Sequence, residues 1–349
     1  MDGNRTRRRG NTTTTRFEGG GVHQVPRHLR RGRYLVSGGD QSSAHSEPAV
    51  SGLRRAIAGH TEVMTIAVET RSVPKRPLAF DRRFDDLPKH FAIDGDIVMS
   101  HVLAVLSSVF PDGEDYFVRA VERVRVDIDE PALRRDVEGF VGQEEMHGRG
   151  HRVLNERLAD LGYPTRAIGV YVRWLFANRE RIDNARLHLG FTAALEHYTA
   201  TLAETLLSTP EARAEIGHES VRELLMWHAL EEAEHKAVAF DAYVAVGGSE
   251  SMRIATMWIT HMLFVLETGV WTLISLAMDP DARRQPARVL QGLWRLRRSP
   301  FTSKRAVRQL LQYTRHGFHP NDRDTGPLIA EWRARLFGSD GTLSERLAG

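Results

Sequence analysis

The chain has no cysteine in its 349 residues. This absence excludes disulfide bonds, iron–sulfur clusters, thiolate zinc sites and cysteine nucleophiles. Any metal site must therefore be built from carboxylates and from the sixteen histidines. A chain without disulfides suits a reducing compartment, so we expect a cytoplasmic protein, with membrane association as the alternative.

The first 63 residues lack the continuous apolar segment of a secretory signal. They carry eleven arginines against five acidic residues, although the net charge of the whole chain is only +3. The basic balance thus belongs to this leader, and we expect no nucleic-acid partner. Its threonine and glycine runs predict disorder. The alternative is that Met64 is the natural start and that the leader is not part of the native protein.

Few segments alternate between apolar and polar residues at period two, so the chain is predicted to be all-α. Apolar residues instead recur every three or four positions along five stretches. These stretches cover approximately residues 94–110, 111–124, 131–161, 185–207 and 220–246. Pro111 and Asp112 are helix-start signals, and they predict a break between the first two stretches.

Two Glu-x-x-His pairs, Glu144 with His147 and Glu232 with His235, interrupt the apolar stripes of two predicted helices. Residues three apart share one face of an α-helix, so each pair can reach one ion. Glu114 and Glu196 interrupt the stripes of two further helices. Because a buried carboxylate is costly unless a cation compensates its charge, the pattern predicts a four-helix bundle that holds two metal ions in its core.

The predicted ligands divide into two sets. Glu114, Glu144 and His147 surround one ion, whereas Glu196, Glu232 and His235 surround the other, with Glu144 and Glu232 as the bridging carboxylates. His151 and His228 lie on the same faces, each as an additional ligand or as a group that orients a carboxylate. Carboxylates and imidazoles suit iron, which we favour, as well as manganese and zinc.

The sequence around these residues resembles that of known proteins. The matching segments are Phe110-Pro111-x-Gly113-Glu114, Gln143-Glu144-Glu145-x-His147, Ala194-Leu195-Glu196-His197, Trp227-His228-x-x-Glu231-Glu232-x-Glu234-His235-Lys236 and Gly317-Phe318-His319-Pro320. They resemble the ferritin-like di-iron carboxylate proteins and, more closely, a bacterial family called predicted metal-dependent hydrolases, over about residues 70–325. The resemblance implies a ferritin-like fold, whose members include oxygenases, desaturases and the small subunit of ribonucleotide reductase.

Three functions are compatible with such a centre. The favoured one is an enzyme that activates O2, with an electron donor as partner, to oxidise or oxygenate a small substrate, with a lipophilic molecule as one option. The alternative is a hydrolase in which the two ions lower the pKa of a bridging water. The third is a non-enzymatic iron-handling protein of the ferritin type.

Residues 254–278 form the most apolar stretch of the chain, with His261 and Glu267 in its middle. It is predicted to be a helix packed on the bundle, with membrane insertion or a homodimer contact as alternatives. A basic helical segment follows at residues 283–315, and the two together suit peripheral contact with an anionic membrane. The predicted ferritin-like domain covers residues 64–325 with these additional C-terminal helices, and residues 326–349 are predicted to be a tail.

Overall fold

The computed structural model describes residues 73–80 and 83–347, so the predicted leader, residues 1–63, lies outside the described residues. Within these ranges the protein is all-α, as predicted, and the one extended pairing is an isolated bridge between Leu78 and Leu347. The helices are α1 (Ile97–Glu122), α2 (Pro131–Asp160), α3 (Thr165–Arg179), α4 (Ala185–Ser208), α5 (Pro210–Ala214), α6 (Glu219–His235), α7 (Val238–Ala245), α8 (Glu250–Met278), α9 (Pro280–Arg284), α10 (Pro286–Leu296), α11 (Lys304–Gln312) and α12 (Gly326–Phe337).

The four helices with the predicted ligands pack against one another. Helix α1 contacts α2 and α4, and α6 contacts the same two helices. Helix α3 lies on α1 and α2, whereas α8 lies on α4 and α1. Apolar side chains of these helices fill the interior, and the acidic and histidine residues described below are enclosed among them.

Helix α1 runs through Pro111, so the predicted break at this position is wrong. Proline has no N–H, which leaves the carbonyl of Ser107, four residues earlier, without its helical donor. The side chain of Asn155 on α2 replaces that donor, with a distance of 2.9 Å from Nδ2 to the Ser107 oxygen. Because this hydrogen bond satisfies the free carbonyl, α1 continues and carries Glu114 in its second half.

The predicted helix over residues 220–246 is divided in two. Helix α6 ends at His235 and α7 begins at Val238. The basic segment is likewise divided into short helices, several of which begin at a proline, the residue favoured in a first helical turn. Beyond residue 325 the chain forms α12, whose Trp332 and Leu336 are buried in the main apolar core.

An extended segment before α1 crosses helix α2. At Gly139 a Cβ atom would lie 2.5 Å from the carbonyl oxygen of Val73, so only glycine permits this close approach. The crossing brings the guanidinium of Arg76 to the end of α6, where it meets Glu231 and Glu234.

Helix α8 differs from the helices around it. By length and composition it is the one described helix that qualifies as a membrane span. Only 22% of its most apolar window is buried, so much of that window is not enclosed by the described residues.

Candidate metal centre

The structure brings all six predicted ligands together in the interior. Helix α1 contributes one, α2 two, α4 one and α6 two, namely Glu114, Glu144, His147, Glu196, Glu232 and His235. Each is at most 2% exposed. Each Glu-x-x-His pair occupies a single helix face, so the periodicity of α2 and α6 accounts for its placement.

Two of the carboxylates lie between the two histidines. Oε1 of Glu144 is 3.6 Å from Nδ1 of His147 and 3.3 Å from Nε2 of His235. Oε1 of Glu232 is 3.8 Å and 3.6 Å from the same two nitrogens. The oxygens of Glu196 face His235 alone, at 3.2 Å. Glu144 and Glu232 thus occupy the central positions that the sequence predicted for bridging carboxylates.

Many polar atoms of this cluster have no hydrogen-bond partner. They are both carboxylate oxygens of Glu114, Glu144 and Glu196, Oε2 of Glu232, Nδ1 of His147 and Nε2 of His235. Within the described part of the chain, none of the four glutamates forms an ion pair with a lysine or an arginine. Buried carboxylates without a compensating cation are strongly unfavourable. The donor set therefore fits divalent cations.

The shifted pKa values of the cluster also fit a cation-binding site. Burial, together with the charge of neighbouring glutamates, raises the pKa of Glu114 and Glu144 well above the ordinary value, and that of Glu196 to about 7. Burial alone would lower the pKa of His235, but Glu232 and Glu196 raise it well above its ordinary value. Protons thus occupy this cluster when no cation does, and metal binding must release them.

Residues 74–324, more than half of the chain, match the family described as "Predicted metal-dependent hydrolase". The chain belongs to this family. It matches no curated protein and no solved structure. The match covers the region in which the sequence motifs predicted a resemblance, and every helix that carries a predicted ligand lies inside it.

The side chains of Gln143 and Glu231 orient the two histidines of this centre from the side opposite the carboxylates. Nδ1 of His235 donates to Oε1 of Gln143 at 2.8 Å, and Nε2 of His147 donates to Oε2 of Glu231 at 3.0 Å. In the neutral rings, the opposite nitrogens, which face the carboxylates, are left with lone pairs that can bind a cation. Glu231 was not among the predicted ligands. The structure buries it completely, and burial raises its pKa to about 8.

A hydrogen-bond chain fixes the orientation of His228. Asn155 donates its amide to the Ser107 carbonyl, so its Oδ1 accepts the Ser107 hydroxyl at 2.7 Å. Nδ1 of His151 must then donate to Ser107 Oγ at 2.9 Å, and Nε2 of His151 must accept from Nδ1 of His228 at 2.8 Å.

Burial lowers the pKa of His228 to about 4, so its ring is neutral at pH 7 and carries one N–H. Because that N–H points to His151, the Nε2 lone pair of His228 faces the carboxylate of Glu232 at 2.9 Å and that of Glu114 at 3.6 Å. Two lone pairs facing each other require a proton or a metal cation between them. The cluster formed by Glu114, His147 and His228 has the spacing of a metal-ligand group.

A second group of histidine and carboxylate side chains lies elsewhere, formed by His90, His101 and Asp279. The two imidazoles contact Oδ2 of Asp279 at 2.8 Å and 3.1 Å. The other oxygen, Oδ1, accepts from Nζ of Lys89 at 2.5 Å. Lysine supplies the positive charge here, so this group needs no metal ion. None of its members was predicted to be a ligand.

A cavity of about 550 Å³ adjoins the candidate metal centre. Its inner end is formed by His228 and Glu232, and its walls are mainly apolar side chains of α1, α4, α8 and α10. A smaller cavity of about 120 Å³ reaches Glu114. The larger volume lies within the range of small-molecule binding sites in proteins.

Proposed function

We propose that the protein is a metal-dependent hydrolase that holds two divalent ions among its four packed helices and acts on an apolar substrate in the adjoining cavity. The observation that carries this proposal is the convergence of six buried ligands with unpaired atoms and with no lysine or arginine among their described partners. The family match supports the reaction class.

We assign the ligands in two groups that share their bridging residues. Glu114, His147 and His228 would hold one ion and Glu196 and His235 the other, with Glu144 and Glu232 placed so that both ions could share them. The arrangement of one Glu or one Glu-x-x-His on each of four mutually packed helices is that of ferritin-like bundles, which supports a ferritin-like fold. Carboxylates and neutral imidazoles suit Fe(II), Mn(II) and Zn(II).

Paired divalent ions supply a water of lowered pKa and polarise an acyl or phosphoryl oxygen. The protein contributes position and exclusion of bulk water. Glu232 and His228 are the centre residues that line the cavity, so substrate approaches from that side. The hydroxyls of Thr199 and Thr268 are among the few polar groups in the cavity wall, and they favour a substrate that is mainly apolar with one polar group.

Oxygen activation at the same centre is the second candidate, and it was the favoured sequence interpretation. The observation in its favour is the ligand set itself, since Glu-rich bundle sites of this type are those of di-iron proteins. The apolar cavity would also keep bulk water from the reaction. The family match favours hydrolysis over this alternative.

One experiment separates the two candidates. The protein is purified without oxygen, loaded in turn with Fe(II), Mn(II) and Zn(II), and the bound ions are counted by mass spectrometry. Each form is then assayed on p-nitrophenyl esters of increasing chain length, and the Fe(II) form is exposed to O2 while its absorption spectrum is recorded.

Two bound ions together with ester hydrolysis that is lost in Glu144→Ala support the proposal. A spectral change with O2 and no hydrolysis by any form would replace it with the second candidate. Fewer than two ions in the wild-type protein under all three conditions would overturn both.

A further inference from the structure

The outward face of α8 is continuously apolar. Every exposed residue between positions 255 and 278 is alanine, glycine or a larger apolar residue. The large ones are Trp258, Ile259, Met262, Val265, Leu266, Val270, Leu273, Ile274 and Met278. Met262 is 65% exposed and Leu273 is 64% exposed, at positions three turns apart. A soluble protein rarely leaves such a long stripe without a partner.

The inward face of the same helix combines polar and apolar side chains and packs on the protein. Thr256, Thr260, Thr272 and Ser275 are buried against the bundle, and they span nearly the whole helix. The two ionisable residues in the middle also face inward or sideways, where Glu267 accepts from Tyr171 at 2.6 Å and His261 contacts Tyr198. Helix α8 therefore lies along the bundle over its whole length, which argues against a separate membrane crossing.

The segment that follows α8 is strongly cationic. Residues 280–316 contain nine arginines and one lysine against a single acidic residue, Asp281. Arg297, Arg305 and Arg308 are exposed and form no ion pair with any described residue. The guanidinium of Arg298 lies 3.6 Å from the ring centroid of Trp294, which is itself 54% exposed. Exposed tryptophan beside unpaired arginine is the composition of an interfacial helix.

The same face forms the mouth of the large cavity. Val265 and Leu273 of α8 and Leu293 of α10 are exposed, and all three line the cavity whose inner end is Glu232 and His228. An apolar path therefore runs from the exposed stripe to the candidate metal centre.

We propose that the face formed by α8 and α10 docks on an anionic lipid bilayer, and that the cavity takes the long apolar chain of a bilayer-soluble substrate. The apolar stripe would enter the acyl region while the arginines contact the anionic headgroups. The substrate part rests on the proposed function, whereas the docking part does not.

The charge of this face argues against a second copy of the chain as its partner. A two-fold contact places the same patch on both subunits, so it would bring two cationic segments together. An anionic bilayer instead complements the charge and covers the apolar stripe at once.

The docking part is tested by flotation of the full-length protein with vesicles. Phosphatidylcholine alone is compared with equal parts phosphatidylcholine and phosphatidylglycerol, at low and high salt. We expect flotation with the anionic vesicles only, reduced by salt. Arg297→Glu with Arg308→Glu should lower the partition coefficient at least about tenfold. The matched control is Arg135→Glu with Arg149→Glu on the exposed face of α2, which should have little effect.

The apolar contribution has its own pair of variants. Met262→Glu should abolish flotation, whereas Val126→Glu, at a residue that is 82% exposed outside this face, should not. Absence of flotation at low salt, or equal flotation with neutral vesicles, would overturn the docking. A dimer seen by light scattering that Met262→Glu dissociates, in a protein that does not float, would assign the face to self-association instead.

The substrate part is tested with pyrene-labelled palmitate, whose fluorescence reports binding to the metal-free protein. We expect saturable binding that Leu202→Trp blocks, because Leu202 lines both cavities, and that Leu202→Ala retains. Neither flotation nor this binding requires metal ions, so a failure to load metal would overturn the proposed function alone. Normal metal loading without palmitate binding would overturn the substrate class.

Discussion

Two buried groups in this protein combine histidines with carboxylates, and they differ in what compensates the negative charge of the carboxylates. In the group at Asp279, Lys89 lies 2.5 Å from the carboxylate and neutralises it. In the group at Glu144 and Glu232, four carboxylates converge and no lysine or arginine of the described chain is paired with them. Similar spacing of donor atoms therefore has different meanings, and the nearest protein cation decides between them.

The two groups also differ in how many of their polar atoms lack a hydrogen-bond partner. Oδ1 and Oδ2 of Asp279 accept from Lys89, His90, His101 and the N–H of Asp281. The glutamates of the other group leave seven oxygens without a hydrogen bond. Although burial alone would raise it, the hydrogen bonds from Lys89 and His90 hold the pKa of Asp279 well below its ordinary value. The glutamates have no lysine donor of this kind, so their arrangement suits a bound cation in that role.

The largest expected difference is in metal content. Glu232→Ala should lose two-metal loading because it removes a bridging carboxylate, whereas Asp279→Asn should retain two ions per chain. Mass spectrometry of the metal-loaded variants measures both. Equal stoichiometry in the wild-type protein, Glu232→Ala and Glu144→Ala would contradict the ligand assignment.

A smaller effect is expected at the third imidazole. His228→Gln should weaken metal binding about 10–100-fold, the range seen when a group that supports or completes a metal site is removed. His101→Gln, the matched change in the other group, should leave the affinity unchanged. Competition with a chromophoric chelator measures both. An unchanged affinity in His228→Gln would show that His228 neither binds the ion nor supports a residue that does.

The next prediction concerns the stability that Lys89 provides. Lys89→Met leaves the buried Asp279 without its cation, so the free energy of unfolding should fall by about 1–3 kcal/mol. Metal stoichiometry should remain at two. The control is Lys304→Met, at an exposed lysine of α11. Urea denaturation of both variants gives the comparison, and equal midpoints would show that Asp279 does not depend on Lys89.

The smallest expected effect is a pH dependence. Burial lowers the pKa of His101 to about 4, even though Asp279 beside it favours the charged form and Lys89 and His90 oppose it. Between pH 6.5 and about 4 the unfolded chain binds more protons at His101 than the folded chain does, so stability falls as the pH falls through this window. The slope should reach at most about 1.4 kcal/mol per pH unit.

His101→Gln should remove this contribution, and urea midpoints measured at several pH values would show it. A variant whose midpoint changes with pH as steeply as that of the wild-type protein between pH 6.5 and 4 would place the dependence elsewhere.

The sequence predicted those features that depend on residues close together in the chain. Glu144 with His147 and Glu232 with His235 each lie on one helix face, so spacing alone indicated their convergence. The continuity of α1 through Pro111 was not predictable in this way, because the donor that permits it is Asn155 on another helix. The complete burial of Glu231 was not predictable for the same reason, because its partner Arg76 lies 155 residues away in the chain. The group at Asp279 was missed because its members come from three separate segments.

The duplicated ligand pattern has a consequence for the order of events during synthesis. Helices α1 and α2 leave the ribosome first with Glu114, Glu144 and His147, whereas α4 and α6 follow later with Glu196, Glu232 and His235. A growing chain therefore holds half of a site and no complete bridge until α6 has emerged. The proposed centre would acquire its ions only after the second helix pair has packed on the first, so bound metal would mark chains that have finished this step.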